Sequence, residues 1–305
     1  MKGTRYSGHF IYMKKLAATL LFALPAFAQT AAKGVNLYSI ESDIAIGREE
    51  ALRLTSALPV VHDPKLDEYC SRLMGELARH ADSRFAYSFV VYEDRRPSAP
   101  VWVAMQMPLD AFSARPREPV ALAGGPIFIP ISLIASAPDE ATLAFHLAHA
   151  VAHVSLRHST RLATREELMD LAAVPLTQVQ SASGAVVQVS TQVARQTAVL
   201  SMARQFERAA DTLATGIMAE AGYDPAKALA SLEGQGTPEA RRRMETVLAK
   251  RDSLPEAVYG ADTGAFEEIK ALAAGIRLFS IGVFSRWSIT TTSPEPFLLV
   301  SFSPS

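Results

Sequence analysis

Two histidines separated by three residues stand in the segment His149-Ala150-Val151-Ala152-His153. On an α-helix this spacing places their imidazoles about 40° apart around the axis and one turn apart along it, so both can bind one metal ion. Histidines at this spacing also occur on half-buried helix faces, where they bond to backbone groups or carboxylates. The pair alone therefore leaves two alternatives open, a metal site and a structural pair.

Two carboxylates further along the chain have the same spacing, because Glu207 and Asp211 share one face of a predicted helix. A catalytic zinc ion takes three protein ligands and keeps a fourth position open for water. Glu207 can supply the third ligand, and Asp211 can accept the outer N–H of a ligating histidine, which fixes the tautomer and orientation of that ring. Taken alone, such a pair is also typical of a solvated helix surface.

The elements that position these groups are predicted to be long helices. Ser136 followed by Asp139 forms a capping-box pattern and predicts a helix that carries both histidines to about Leu162. After a polar stretch, a helix from about Ser190 to Ala221 carries the carboxylates and ends at a glycine with a proline beyond it. Shorter helices are predicted over 225–232 and 238–251.

The residues before these helices are predicted to support them. Apolar residues at helical spacing indicate helices over 42–58 and 64–80. Aromatic and β-branched residues indicate strands over 87–92 and 126–134, which can pair in one small sheet. The intervening residues, 93–119, are long for a connection inside a compact domain and are predicted to form a surface excursion.

The N-terminus has the pattern of an export signal. Two lysines precede an apolar run over 16–24, and the small-residue triplet Ala26-Phe27-Ala28 follows it. This pattern predicts a signal peptide over 1–28, with Met13 as an alternative start that would exclude 1–12. The apolar run is shorter than the roughly 20 residues that span a bilayer. We therefore expect a periplasmic or secreted protein with no integral membrane span in the mature chain.

Composition narrows the function classes. With 49% hydrophobic residues among 305, the chain can bury a substantial core. Its formal net charge of −1 provides no broad basic field, so we expect no nucleic-acid partner, and the run Arg241 to Arg243 is interpreted as a solvated helix face. Cys70 is the only cysteine and has no disulfide partner within the chain.

Together, the motifs resemble peptidase family M48, the HtpX-like and BepA-like gluzincin zinc metallopeptidases. In chain order, the resemblance is carried by Asn36-Leu37-Tyr38-Ser39, Ile46-Gly47-Arg48-Glu49, Asp63-Pro64, Tyr69, Gly75, Gly124-Gly125, Leu147-Ala148-His149, His153, Arg157-His158, Glu207 to Asp211 and Ala221-Gly222-Tyr223-Asp224-Pro225. It implies an α+β, mainly α, metallopeptidase-like domain over 35–251, with a small sheet beside two metal-bearing helices. Residues 252–305 are left as a C-terminal extension of unassigned role.

The resemblance implies one zinc ion with His149, His153 and Glu207 as ligands, and Asp211 as the aspartate that orients a ligating histidine. The family's general base is the glutamate directly after the first histidine, and that position is Ala150. A base accepts a proton from zinc-bound water and delivers it to the leaving amine, which alanine cannot do. We therefore expect peptide hydrolysis to be weak or lost.

Other positions also depart from the family pattern. Thr237 stands where the family usually has a histidine before a proline. The segment Glu118-Pro119-Val120-Ala121 replaces an edge strand that resembles a substrate-docking strand, and Pro119 removes a backbone donor. His146 is either an auxiliary ligand or a packed histidine, and His158 is interpreted as structural, with no metal role.

Two functions follow as expectations. The first is an impaired zinc metalloendopeptidase of the bacterial cell envelope. The alternative is a non-catalytic, chaperone-like protein that uses the substrate cleft of the peptidase family to bind unfolded or envelope polypeptides. Several separate departures favour a natural pseudopeptidase over an introduced Ala150, although the sequence leaves both open.

Overall fold

The computed structural model describes residues 35–94, 118–177, 182–233, 236–260 and 264–285. The predicted signal peptide, most of the excursion over 93–119 and the residues after 285 lie outside these ranges. The helices are α1 (Ile40–Ala57), α2 (Pro64–Ala78), α3 (Ile131–Ser136), α4 (Glu140–Ser155), α5 (His158–Thr177), α6 (Ala182–Glu220), α7 (Lys227–Glu233), α8 (Pro238–Asp252) and α9 (Phe266–Ser285). The strands are β1 (Ser88–Tyr92), β2 (Val120–Ala121) and β3 (Pro126–Pro130). The described chain is therefore α+β and mainly α, as predicted.

The two support helices begin at side-chain caps. Ser39 accepts a hydrogen bond from the backbone N–H of Ser42 at the start of α1. Asp63 does the same for α2, where Pro64 occupies the first turn and needs no partner for a backbone N–H. Both helices match the ranges predicted from apolar spacing to within a few residues.

The two predicted strands pair in one sheet. β1 and β3 run parallel, with Phe89 opposite Ile127, and β2 pairs antiparallel to β3, giving the order β1-β3-β2. The prediction that β3 continues to Ile134 was wrong. The chain turns into α3 after Pro130, because the Asp94 carboxylate accepts hydrogen bonds from the backbone N–H and hydroxyl of Ser132.

The helix predicted from Ser136 to Leu162 is two helices. The first, α4, begins after Asp139, whose carboxylate accepts from the Thr142 backbone N–H at 2.8 Å. It ends at Ser155 because Arg157 adopts a left-handed φ of 57°. This conformation is costly for a residue with a side chain.

The turn at Arg157 is held by the first turn of α1 and the residue Tyr38 just before that helix. The Arg157 guanidinium donates to the Asp43 carboxylate and, at 2.6 Å, to the carbonyl oxygen of Tyr38. Asp43 is 1% exposed, so this ion pair is buried. The pair fixes the point at which α5 begins.

The helix that carries the carboxylates starts earlier than predicted. α6 begins at Ala182 instead of about Ser190, so the polar residues around Gly184 are helical. Helix propensity is a weak preference that tertiary context can override. The predicted end is confirmed: α6 stops at Glu220, and Gly222 follows with a φ of 86°.

One main core joins these elements. It combines α4 with the buried faces of α2, α6 and the sheet, including Leu73, Ile129, Val151 and Ile217. Helix α9 contributes Phe266 to the same core, so the beginning of the C-terminal extension packs on the domain. Among the described residues, no helix combines the length and apolar character needed to cross a membrane.

Candidate metal centre

The predicted ligands converge between α4 and α6. The Nε2 atoms of His149 and His153 lie 3.0 Å apart. The carboxylate of Glu207 faces both rings, at 3.6 Å from His149 Nε2 and 3.5 Å from His153 Nε2. Among the described residues, these three supply donor atoms that all lie within 4.8 Å of one another.

This donor set fits a zinc ion. Two donors at about 2.1 Å from a tetrahedral zinc ion lie about 3.4 Å apart. The two Nε2 atoms are 3.0 Å apart, and the two oxygens of Glu207 lie 3.6 Å (Oε2) from His149 Nε2 and 3.5 Å (Oε1) from His153 Nε2, all close to that value. Two imidazoles with one carboxylate are also a donor set of catalytic zinc sites, which keep a fourth position open.

Asp211 lies behind the first of these histidines. Its Oδ1 is 3.0 Å from His149 Nδ1, the ring nitrogen that points away from the donor cluster. Arg243 donates to both oxygens of Asp211, through Nε at 2.6 Å and Nη2 at 2.7 Å. The Nη1 atom of Arg243 also lies 3.2 Å from Glu207 Oε2. The buried guanidinium of Arg243 is therefore shared by Glu207, a predicted metal ligand, and Asp211, which lies behind the predicted ligand His149.

The interpretation of Arg241 to Arg243 as a solvated face was wrong for Arg243, which is 2% exposed. A signal for its burial is present in the sequence. Ala240, Arg243 and Val247 recur at helical spacing and form the buried stripe of α8. Arg243 lies on that stripe, whereas Arg242 is exposed.

The carboxylates control the charge of His149. Burial alone would lower the pKa of this imidazole, but Asp211 and Glu207 outweigh burial and raise the pKa to about 10. In the metal-free protein, His149 is therefore protonated at neutral pH. Zinc needs the neutral imidazole, so metal binding at this residue must displace a proton.

His158 lies closer to the centre than its predicted structural role implied. Its Nδ1 is 3.1 Å from His153 Nδ1, and its ring stacks on Phe206 at a centroid distance of 4.2 Å. The side chain is 1% exposed. Burial, and then the nearby His153, lower the pKa of His158 well below its usual value, so the ring is neutral.

The remaining predicted positions have distinct surroundings. Ala150 is 2% exposed and belongs to the main core. His146 packs beside the ring of Phe145 and, within the described part of the chain, does not join the donor group. Thr237 caps α8, because its hydroxyl accepts from the Ala240 backbone N–H at 3.1 Å.

Pro119 directly precedes β2, the outer strand of the sheet beyond β3. Strand β2 also contacts α4, the helix that carries His149 and His153. The outer strand therefore runs beside the helix that supplies two of the donors.

The chain is similar to known proteins of one family. The model of peptidase family M48 matches residues 64–264. A Beta-barrel assembly-enhancing protease of Escherichia coli (strain K12) is 24% identical over 234 residues, covering 70% of this chain and 44% of that protein. A protein of the same name from Yersinia pestis is 23% identical over 195 residues, covering 61% of this chain and 36% of that protein. The chain thus spans less than half the length of these relatives. Because the family match covers more than half of its residues, the chain belongs to peptidase family M48.

Proposed function

We propose that this protein is an impaired zinc metalloendopeptidase, which binds one zinc ion through His149, His153 and Glu207 and hydrolyses peptides only weakly. The observation that carries the proposal is the contrast within α4. The donor cluster fits zinc, whereas the position between the two histidines that should carry the base is Ala150.

The roles of the surrounding residues follow from their contacts. Zinc, when bound, supplies a Lewis acid and lowers the pKa of a bound water. Asp211 holds the His149 ring with Nε2 toward the donor cluster, and Arg243 neutralises part of the negative charge of Asp211 and Glu207. Asp211 is paired with Arg243 and Glu207 is the proposed zinc ligand, so neither carboxylate is available as the general base. The methyl group of Ala150 accepts no proton. A positioned general base typically contributes about 10²- to 10⁴-fold to rate, which is the loss that we expect.

We further propose that the protein is exported and acts on polypeptides of the bacterial envelope. The lysines, apolar run and Ala26-Phe27-Ala28 triplet at the N-terminus support export. The name of the relatives, Beta-barrel assembly-enhancing protease, supports β-barrel proteins as clients. Mass spectrometry of the exported protein should find Gln29 as its first residue, and an intact N-terminus would contradict cleavage after Ala28.

A second candidate function is polypeptide binding without hydrolysis. The outer position of β2, next to α4, favours it, because an extended peptide can add to a sheet edge through backbone hydrogen bonds. Pro119 reduces the donors available just before that strand. Binding by this route does not require a general base.

The deciding experiment is digestion of an unfolded protein by the purified mature chain with its zinc content measured. Weak hydrolysis that a chelator abolishes, in protein with one zinc per chain, supports an impaired peptidase. Zinc binding without hydrolysis, together with capture of the unfolded protein, supports the binding function. Glu207→Gln should reduce the zinc content, whereas Glu220→Gln, on the exposed C-terminal end of α6, should not. Equal zinc content in both variants would contradict the proposed site.

A further inference from the structure

We propose that His158 is a positioning residue for the metal centre, because it accepts the outer hydrogen bond of His153 and fixes the tautomer that turns His153 Nε2 toward the metal. This inference rests on the proposed zinc site. It assigns a role at that site to a residue that was interpreted from the sequence as structural, with no metal role.

The imidazole of His158 lies behind that of His153, on the side away from the donor cluster. His153 directs Nε2 at the donor cluster, 3.0 Å from His149 Nε2, and Nδ1 in the opposite direction, 3.1 Å from His158 Nδ1. The ring planes of His153 and His158 are tilted by 82°, with their centroids 4.8 Å apart. Both side chains are buried, at 8% and 1% exposure. Water therefore has little access to the contact between the two Nδ1 atoms.

The positions of the protons then follow from the chemistry of imidazole. A neutral imidazole that binds a metal through Nε2 carries its hydrogen on Nδ1. His153 must therefore donate through Nδ1, and His158 Nδ1 must be the acceptor. An accepting Nδ1 leaves the hydrogen of neutral His158 on Nε2. That Nε2 atom is buried and has no hydrogen-bond partner among the described residues, so the contact with His153 is the polar contact that orients the His158 ring.

The fold holds His158 in this orientation from two sides. Its ring is nearly parallel to that of Phe206, with an interplanar angle of 11°, and Phe206 directly precedes the ligand Glu207 on α6. On the other side, His158 is the first residue of α5, immediately after the left-handed turn at Arg157. The turn that divides α4 from α5 thus places an imidazole behind the second ligand.

The two ligating histidines therefore have unlike partners. His149 lies against the carboxylate of Asp211, whereas His153 lies against the imidazole of His158. Outer partners of metal-bound histidines are usually carboxylates, carbonyls or waters, and their loss typically weakens metal binding about 10- to 100-fold. We expect His158 to contribute within that range.

The test compares His158→Asn with His158→Leu. The two replacements have nearly the same branched shape, and both remove the stacking on Phe206. Only asparagine offers an oxygen acceptor near the place of Nδ1. We expect His158→Leu to weaken zinc binding about 10- to 100-fold, and His158→Asn to restore most of that loss. Competition with a chromophoric chelator measures the affinities, and thermal unfolding of the metal-free variants verifies that both are folded.

Equal zinc affinity of the two variants would overturn the role of His158 as acceptor, because a purely structural role does not distinguish them. Long-range proton–nitrogen correlation spectra of the zinc-loaded wild-type protein provide a second readout that does not depend on either variant. They should show hydrogen on Nδ1 of His153 and on Nε2 of His158, and hydrogen on Nδ1 of His158 would overturn the inference. A folded wild-type protein that takes up no zinc would instead overturn the metal site itself, and the role of His158 with it.

Discussion

Arg243 and Asp211 form a buried, two-point ion pair directly behind the candidate metal centre. Nε and Nη2 of Arg243 lie 2.6 and 2.7 Å from the two carboxylate oxygens of Asp211, and their side chains are 2% and 0% exposed. The pair joins α8 to α6, so α8 fixes the position of the Asp211 carboxylate behind His149. Stability and metal binding are therefore coupled through Arg243.

Replacing Arg243 should be strongly destabilising. Arg243→Ala leaves Asp211 and Glu207 buried without their cation, and breaking a buried pair in this way costs about 3–5 kcal/mol. The matched control is Arg242→Ala, one residue earlier on the exposed face of α8, which should change the free energy of unfolding by less than about 0.5 kcal/mol. Urea denaturation of the metal-free proteins measures both values. Similar losses for the two variants would contradict the importance of the buried pair.

Ala150→Glu should restore hydrolysis while reducing the stability of the metal-free protein. The position is 2% exposed, so the new carboxylate is removed from water, at a cost of several kcal/mol if it stays charged and unpaired. Bound zinc should reduce this cost. If the cleft is otherwise competent, digestion of an unfolded protein should accelerate by up to about 10²- to 10⁴-fold.

The control for Ala150→Glu is Ala150→Gln, which has nearly the same size and accepts no proton from water at neutral pH. It should not accelerate digestion. No gain with glutamate, in folded and zinc-loaded protein, would mean that the cleft is no longer built for proteolysis. The departures at Thr237 and Pro119 would then explain the loss, and the binding function would be favoured.

Zinc binding at pH 8 should release about one proton from His149. Its pKa of about 10 in the folded, metal-free protein exceeds the ordinary value of 6.5, so the protonated form stabilises the fold fully below pH 6.5 and progressively less as pH rises toward 10. Zinc competes with that proton, so zinc affinity should increase with pH across this window.

Titration calorimetry at pH 8, in two buffers with different ionisation enthalpies, counts the protons that zinc displaces. Asp211→Asn should release fewer, because it removes one of the two carboxylates that raise the pKa of His149. Release of almost no protons by the wild-type protein would show that His149 is already neutral, contrary to this prediction.

Two glycines that belong to the family resemblance should respond oppositely to alanine. A Cβ at Gly47, which is buried on α1, would lie 1.6 Å from the carbonyl oxygen of Ala123, so Gly47→Ala must displace backbone and should cost at least about 2 kcal/mol. Apart from the adjacent backbone of its own helix, no described atom lies within 4 Å of a Cβ at Gly75 on α2, where alanine should stabilise the helix by about 0.5–1 kcal/mol. Thermal unfolding compares the stabilities of the two variants. A Gly47→Ala variant as stable as the wild-type protein would contradict the close packing of α1 on the backbone at Ala123.

The candidate donor set could be predicted from the sequence, because local periodicity pairs the residues within each helix and the family resemblance joins the two pairs. His149 and His153 share a face of α4, and Glu207 and Asp211 share a face of α6, wherever the ends of these helices lie. Helix starts with a strong local cap, such as Asp63 before Pro64, were also predictable for this reason. The ordered motifs predicted the family from the same local information.

The groups that lie behind the donors depend on contacts between parts of the chain that are distant in sequence. The division of α4 from α5 depends on Arg157, whose left-handed conformation is held by Asp43, far away in the chain. The burial of Arg243 depends on packing between α8 and α6, and the contact between His158 and His153 depends on that same division. Such contacts join residues that no local period relates. They form only when packing removes the groups from water, which is the condition under which unpaired charges and imidazoles must find partners.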